Sequence, residues 1–114
     1  MYLHEILEIV NGEVIVGKDL QNKKIDNGCG ADLMSDVLAC NINPRTLLIT
    51  SLANIQVMRT ADIVDLAAIL FVRGKKPVEN VIKLASEANI PLVATKYNMF
   101  ETCGKLYKAG LKGS

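Results

Sequence analysis

The chain has 114 residues, of which 50% are hydrophobic and only 4% aromatic, and its formal net charge is +1. This length fits a single domain with a substantial core, which must be built from aliphatic side chains. The near-zero charge excludes a strong general field for nucleic acid or for an anionic membrane, so we predict neither as a partner.

The first 40 residues predict two helices and a strand. The apolar side chains of the first helix recur at helical spacing: Leu3, Ile6, Leu7 and Val10. Asn11-Gly12 ends this helix, and the apolar residues 14–16 predict a strand. A polar, glycine-containing stretch follows, with a weak strand expected near residues 24–26, before a second helix predicted over 31–39.

Three short apolar runs in the rest of the chain each end in polar or basic residues. They cover residues 47–50, 68–72 and 91–94. Each precedes a helix-like segment, although the β-branched residues of 53–65 weaken the prediction there. Pro77 suits the first position of the following helix, and Asn98 suits the cap of the last one. This alternation of apolar runs with helix-like segments predicts an α/β domain with a mostly parallel sheet flanked by helices.

Parallel sheets bind ligands beyond the carboxyl ends of their strands, so the polar ends of the three runs are the candidate site. We expect Arg73, Gly74 and Lys75 to hold an anion, aided by free backbone N–H groups before a helix. A solvated basic turn is the alternative interpretation. The polar contacts would come from Ser51, Asn54 and Thr95, and either Ser51 or Asn54 also suits a helix cap.

The residues Gly12 to Lys18 match the spacing of a phosphate-binding GxxxxGK loop, but we reject that function. Asp19 replaces the Ser or Thr that binds Mg²⁺, and residues 14–16 favour a strand over a loop that wraps a phosphate. No Ser-His-Asp or Cys-His arrangement stands out either, and His4 is expected on the surface. We therefore predict a protein that is not an enzyme, with no catalytic residues and no cofactor.

The cysteines number three, and none forms a CxxC pair. An odd count indicates reduced thiols rather than a disulfide framework, and residues 1–5 do not start a signal peptide, so we expect a cytoplasmic protein. Cys29 lies between two glycines before a helix, a position that suits a metal, cluster or redox role. Burial as an inert apolar side chain is the stronger interpretation for all three, and we predict no metal site.

Four separated segments resemble the DRTGG-domain family, in particular its small stand-alone members. They are residues 30–39, 65–69, 73–77 and 100–107, within a likeness that spans residues 2–112. The chain is thus expected to be one DRTGG-like domain over 1–114. The family is named after the motif Asp-Arg-Thr-Gly-Gly, of which this chain keeps only Arg59-Thr60. Met58 stands in place of the Asp, and Ala61-Asp62 stand in place of the two glycines.

The resemblance implies a fold similar to the N-terminal domain of HPr kinase/phosphorylase, and a regulatory or dimerising role. We expect a non-catalytic module that binds an anionic metabolite or a nucleotide. The alternative is a homodimeric interaction module that serves a redox enzyme such as an iron-only hydrogenase. A third hypothesis is an iron–sulfur or redox protein that uses Cys29.

Overall fold

The computed structural model describes all residues from 1 to 114. Five α-helices alternate with six β-strands, and a short 3-10 turn covers Lys18–Leu20. The helices are α1 (Leu3–Val10), α2 (Met34–Leu38), α3 (Ile55–Ile63), α4 (Glu79–Glu87) and α5 (Met99–Lys108). The strands are β1 (Glu13–Val16), β2 (Asn27–Gly30), β3 (Thr46–Thr50), β4 (Ala68–Phe71), β5 (Leu92–Ala94) and β6 (Lys112–Gly113). None of the helices has the length and apolar character needed to cross a membrane.

All strands belong to one sheet in the order β1-β5-β4-β3-β2-β6. Every neighbouring pair is parallel except β1 and β5, which are antiparallel. The predicted mostly parallel α/β sheet is therefore confirmed. The carboxyl ends of β2, β3, β4 and β5 lie along one edge, and the antiparallel β1 brings its start to the same edge, where Glu13 pairs with Ala94.

Two hydrophobic clusters cover the two faces of the sheet. The buried side chains of α1 and α5 join one cluster, together with Leu47 and Ile49 of β3. The buried side chains of α2, α3 and α4 join the other, together with Leu48. Because successive side chains of a strand point to opposite faces, β3 contributes to both layers, and its three central residues, 47–49, are all apolar.

The region between β1 and β3 differs from its prediction. The expected strand near residues 24–26 is reduced to a single bridge between Lys24 and Tyr2, and the real strand is β2, just after it. Consequently the helix predicted over 31–39 begins only at Met34, because Leu33 is still extended. The Ala31 N–H continues the β2–β3 pairing by donating to the Ile49 carbonyl at 3.0 Å.

The helix ends are mostly as predicted. Asn54 accepts a hydrogen bond from the Gln56 N–H and caps α3, so residues 55–63 form one helix. Asn98 accepts from the Glu101 N–H and caps α5, which confirms the predicted cap. The prediction for Pro77 is wrong by two residues: α4 starts at Glu79, since Val78 is extended and donates its N–H to the Ala53 carbonyl.

Candidate ligand-binding crevice

A crevice of about 450 Å³ opens at the carboxyl edge of the sheet, beyond the ends of β4 and β5. We call it the edge crevice. Its lining residues come from the end of β5, from the start of β1 and from the turns after α1, β4 and β5: Asn11, Glu13, Gly74, Lys76, Ala94, Thr95, Lys96 and Tyr97. Its volume falls in the range of about 300–1,000 Å³ that is typical of small-molecule sites. The sequence-based expectation that the turns after these strands meet is confirmed, because Gly74 and Thr95 are in direct contact.

Hydrogen bonds hold the turn after β4 against the turn after β5. The N–H of Arg73 donates to the Tyr97 carbonyl at 2.7 Å, and the N–H of Gly74 donates to the Thr95 carbonyl at 2.9 Å. The Lys75 N–H donates to the Val72 carbonyl at 3.1 Å. The expectation that these N–H groups are free for an anion is therefore wrong. Positive φ angles of 61° at Arg73 and 67° at Gly74 turn the chain back toward β5 and make these bonds geometrically possible.

Two other backbone donors of the edge crevice have no partner in the protein. The N–H groups of Lys76 and Lys96 donate to no carbonyl or side chain, and both residues line the crevice. Each also carries an exposed cationic side chain. These two residues, rather than Arg73 and Gly74, therefore provide the free N–H donors of the edge crevice.

Thr95 forms the inner wall of the edge crevice and is almost fully buried, with 3% of its surface exposed. Its hydroxyl donates to the Val10 carbonyl at 2.6 Å and accepts the Tyr97 N–H at 3.3 Å. The Val10 carbonyl lies at the end of α1, where the helix supplies it with no partner of its own. Thr95 therefore ties α1 and β5 together at the crevice.

Ser51 and Asn54 lie along the same edge, after β3, but do not line the edge crevice. There, Asp32 accepts hydrogen bonds from the Ser51 N–H at 2.7 Å and from the Thr50 hydroxyl at 3.2 Å. The bond from the Ser51 N–H, with a further contribution from the nearby Arg73 charge, holds the pKa of Asp32 below its usual range. Asp32 therefore stabilises the turn after the neighbouring strand β3.

Carboxylates balance part of the positive charge at this edge. Lys76 forms an ion pair with Glu13, and Asp32 lies close enough to Arg73 for attraction. Lys75 and Lys96 form no ion pair. Of the four cations that follow β4 and β5, two therefore keep their full attraction for an incoming anion.

The cysteines are placed differently from what their spacing indicated. The sulfur atoms of Cys29 on β2 and Cys40 after α2 lie 2.8 Å apart, although eleven positions separate them in the chain. Burial, with the contact to Cys40, raises the pKa of Cys29 to about 12, so this thiol is not activated as a nucleophile. Nowhere do three or more His, Cys, Asp or Glu side chains come together in a group that could hold a metal ion.

A family model of the DRTGG domain matches residues 5–109. The chain belongs to the DRTGG domain family. A crystal structure of the CBS and DRTGG domains of the regulatory region of Clostridium perfringens pyrophosphatase, complexed with the activator diadenosine tetraphosphate, matches with a TM-score of 0.67 at 16% identity. The match covers 92% of this chain but only 45% of that one, so this chain spans less than half of its length. Among curated proteins, no sequence matches.

In this DRTGG domain, the stretch that corresponds to the naming motif lies inside α3. Met58 and Ala61 are buried in the core, and Thr60 donates its hydroxyl to the Gln56 carbonyl at 3.0 Å. Arg59 is exposed and makes no ion pair. The remnant of the motif thus serves packing and helix formation here, and it contributes no side chain to the edge crevice.

Three residues of the edge crevice were missed at the sequence level: Asn11, Glu13 and Tyr97. Asn11 and Glu13 reach it because β1 pairs antiparallel with β5, and no local pattern reveals such a long-range pairing. Tyr97 follows the predicted run 91–94 by three residues, so its position was a usable signal. Asp32 was missed as an edge residue because β2 itself was not recognised.

Proposed function

We propose that this DRTGG domain is a non-catalytic regulatory module that binds an anionic metabolite or a nucleotide at the carboxyl edge of its sheet. One observation carries the proposal: a crevice of about 450 Å³ combines free N–H donors at Lys76 and Lys96 with nearby cations that no carboxylate neutralises. Backbone N–H groups and cationic side chains together are the usual elements of a phosphate site.

The phosphate is proposed to lie near Gly74, between Lys75 and Lys96. An added Cβ at Gly74 would meet no atom within 4 Å, so the space above this residue is open to a ligand. Arg73 belongs to the same turn as Gly74 and extends the positive charge toward Ser51 and Asn54, which supply polar contacts to the rest of the ligand in this proposal. Thr95 shapes the wall, since its hydroxyl is engaged with α1.

Two observations support a regulatory role without catalysis. The lining of the edge crevice contains neither a histidine nor a cysteine, and its hydroxyl at Thr95 already donates to a carbonyl. A nucleophile activated by histidine, or a catalytic thiol, is therefore not in place in the crevice. In addition, the structural neighbour is a regulatory region complexed with a nucleotide activator, which makes adenine nucleotides the first class of ligand to test.

The test is a thermal-shift and calorimetric titration with AMP, ADP, ATP, diadenosine tetraphosphate and inorganic phosphate. A ligand at 100 times its Kd should add about 2.7 kcal/mol to the free energy of unfolding. Lys96→Glu should abolish this effect because it reverses the charge at the crevice. Lys83→Glu is the matched control, since Lys83 is an exposed lysine on α4 and should leave binding unchanged. No binding by any of these phosphate compounds contradicts the proposal.

A second candidate is a homodimeric interaction module that serves another protein. It is favoured by the two most exposed aromatic side chains, Phe100 at 87% and Tyr107 at 76% exposure, which lie on α5 next to an apolar groove. A redox enzyme such as a hydrogenase stays a prediction as the partner, because neither comparison names one. Light scattering distinguishes this candidate, since a strict monomer at micromolar concentration contradicts it.

A further inference from the structure

A second cavity of about 650 Å³ lies beside α5, over β2 and β6. We call it the α5 groove. It is lined by glycines and apolar side chains, with one lysine: Gly28, Gly30, Ile49, Met99, Phe100, Cys103, Gly104, Leu106, Tyr107, Leu111, Lys112 and Gly113. It shares no residue with the edge crevice.

The α5 groove exists because one face of the sheet carries fewer helices than the other. Helices α2, α3 and α4 cover one face, whereas only α1 and α5 cover the opposite one. The strand next to α5 also contributes no side chains at Gly28 and Gly30, where Leu111 and Cys103 pack directly against its backbone. A Cβ at Gly30 would come within 2.9 Å of the Cys103 sulfur, so the close approach of α5 requires glycine there. The result is a slot beside α5 that no element of this chain fills.

The exposed side of α5 has features that folding of one chain does not explain. Phe100 and Tyr107 are seven residues apart and both face the groove, with Gly104 between them. Glycine is unfavourable inside a helix, and an added Cβ at Gly104 would meet no atom within 4 Å. Packing within the chain therefore gives no reason for a glycine, whereas close approach of another backbone from outside does.

We propose that the α5 groove is the interface of a symmetric homodimer, in which α5 of a second copy packs antiparallel to α5 and crosses it near Gly104. The charges of α5 select this occupant and this direction. Glu101 is in the first turn of α5, and Lys105 and Lys108 are in its last turn. In an antiparallel pair each Glu101 faces the partner's Lys108, whereas a parallel pair would place like charges together.

The arrangement is self-complementary, as a two-fold interface must be, because the same aromatic residues fill the groove of the other copy. Phe100 and Tyr107 would then lose the exposure that they have in the single chain. The inference does not rest on ligand binding, because the edge crevice takes no part in it.

The first test is the mass of the protein in solution, by sedimentation or light scattering. At about 100 μM, a dimer with a Kd of about 1 μM should give twice the chain mass of 12.4 kDa. Gly104→Arg should give a monomer that melts no lower than the wild-type chain at the same low concentration, since arginine is a better helix former than glycine. Ile63→Glu on α3, an exposed apolar residue of the opposite face, is the control and should stay dimeric.

The second test is a charge reversal that decides the direction of the helices. Glu101→Lys and Lys108→Glu should each weaken the dimer at least about tenfold, and the double variant should restore it because the opposite charges meet again. A strict monomer for the wild-type chain overturns the proposal, whatever other molecule the groove accepts. A folded dimer in Gly104→Arg, or no rescue in the double variant, overturns it as well.

Discussion

The edge crevice and the α5 groove are two unfilled places on the same sheet, and they differ in every chemical respect. The edge crevice is bordered by lysines, and the turns behind it are held by hydrogen bonds such as that from Gly74 to Thr95. The α5 groove is lined by four glycines beside α5 and β2 and by the exposed aromatic side chains of Phe100 and Tyr107. One surface suits a charged small molecule, and the other suits an apolar helix.

The chemical difference arises because the edge crevice lies at the ends of the strands, whereas the α5 groove lies over a face of the sheet. At the carboxyl edge, backbone groups that leave a parallel sheet need polar partners, and so side chains such as Thr95 and Asp32 gather there. Across the face of the sheet all backbone groups are already paired, so only apolar surface is available, and it stays bare where no helix covers it. A single domain can therefore offer two independent surfaces without enlarging its core.

The largest expected effect concerns two buried threonines, Thr95 in the lining of the edge crevice and Thr102 on the buried side of α5. Thr95→Val should lower the free energy of unfolding by about 2–3 kcal/mol, because it leaves the buried Val10 carbonyl without its donor. Thr102→Val on α5 is the matched control. The hydroxyl of Thr102 is buried and has no partner, so the same substitution should raise the free energy of unfolding by up to about 1 kcal/mol. Urea denaturation measures both changes in the free energy of unfolding. If both variants were destabilised, or both stabilised, the prediction would be contradicted.

A second pair of variants compares Gly74 with Gly104, which both have open space around an added Cβ. Gly74→Ala should destabilise the chain by about 1 kcal/mol, because its φ of 67° suits glycine and strains other residues. Gly104→Ala should stabilise the isolated chain by about 0.8–1 kcal/mol, because alanine is the better helix former. Thermal melts at low protein concentration check the signs. Destabilisation at both positions would contradict the prediction, since backbone conformation is the difference that gives the two variants opposite signs.

The last prediction concerns Asp32, which lies along the carboxyl edge of the sheet but outside the edge crevice. Asp32→Ala should cost about 1 kcal/mol at neutral pH, after allowance for solvent exposure, because the Ser51 N–H loses its acceptor. The pKa of Asp32 is lowered by folding, so its contribution is present above about pH 4 and is lost as the pH falls through the folded value. The variant should therefore lose less stability than wild type on acidification. Asp36→Ala is the control, and its free energy of unfolding should differ little from that of wild type. If the stability of Asp32→Ala and that of wild type fell equally on acidification, this role of Asp32 would be contradicted.

The sequence predicts the edge crevice better than the α5 groove, and the reason is physical. Residues 47–50, 68–72 and 91–94 are continuous apolar runs, which indicate strands buried on both faces and so locate their carboxyl ends. Strand β2 was missed because glycines and an asparagine make up most of it, and it is extended only because β3 and β6 pair with it. Without β2 neither the groove nor the role of Asp32 could be anticipated.

Long-range pairing also limited the prediction of the site itself. Glu13 neutralises Lys76 only because β1 runs antiparallel beside β5, which no local pattern announces. The basic run from Arg73 to Lys76 therefore looked more positive in the sequence than it is in the fold. The positions of the free N–H groups also differ from the prediction: they belong to Lys76 and Lys96 instead of Arg73 and Gly74.

The most direct test of the central claim is an NMR titration of the ¹⁵N-labelled chain with an adenine nucleotide and with inorganic phosphate. Binding at the carboxyl edge of the sheet should shift the backbone amide signals of Gly74, Lys76 and Lys96 in a saturable way. The signals of Gly104 and Tyr107 in the α5 groove should stay in place. Saturable shifts confined to the groove, or no shifts at all, would contradict the account.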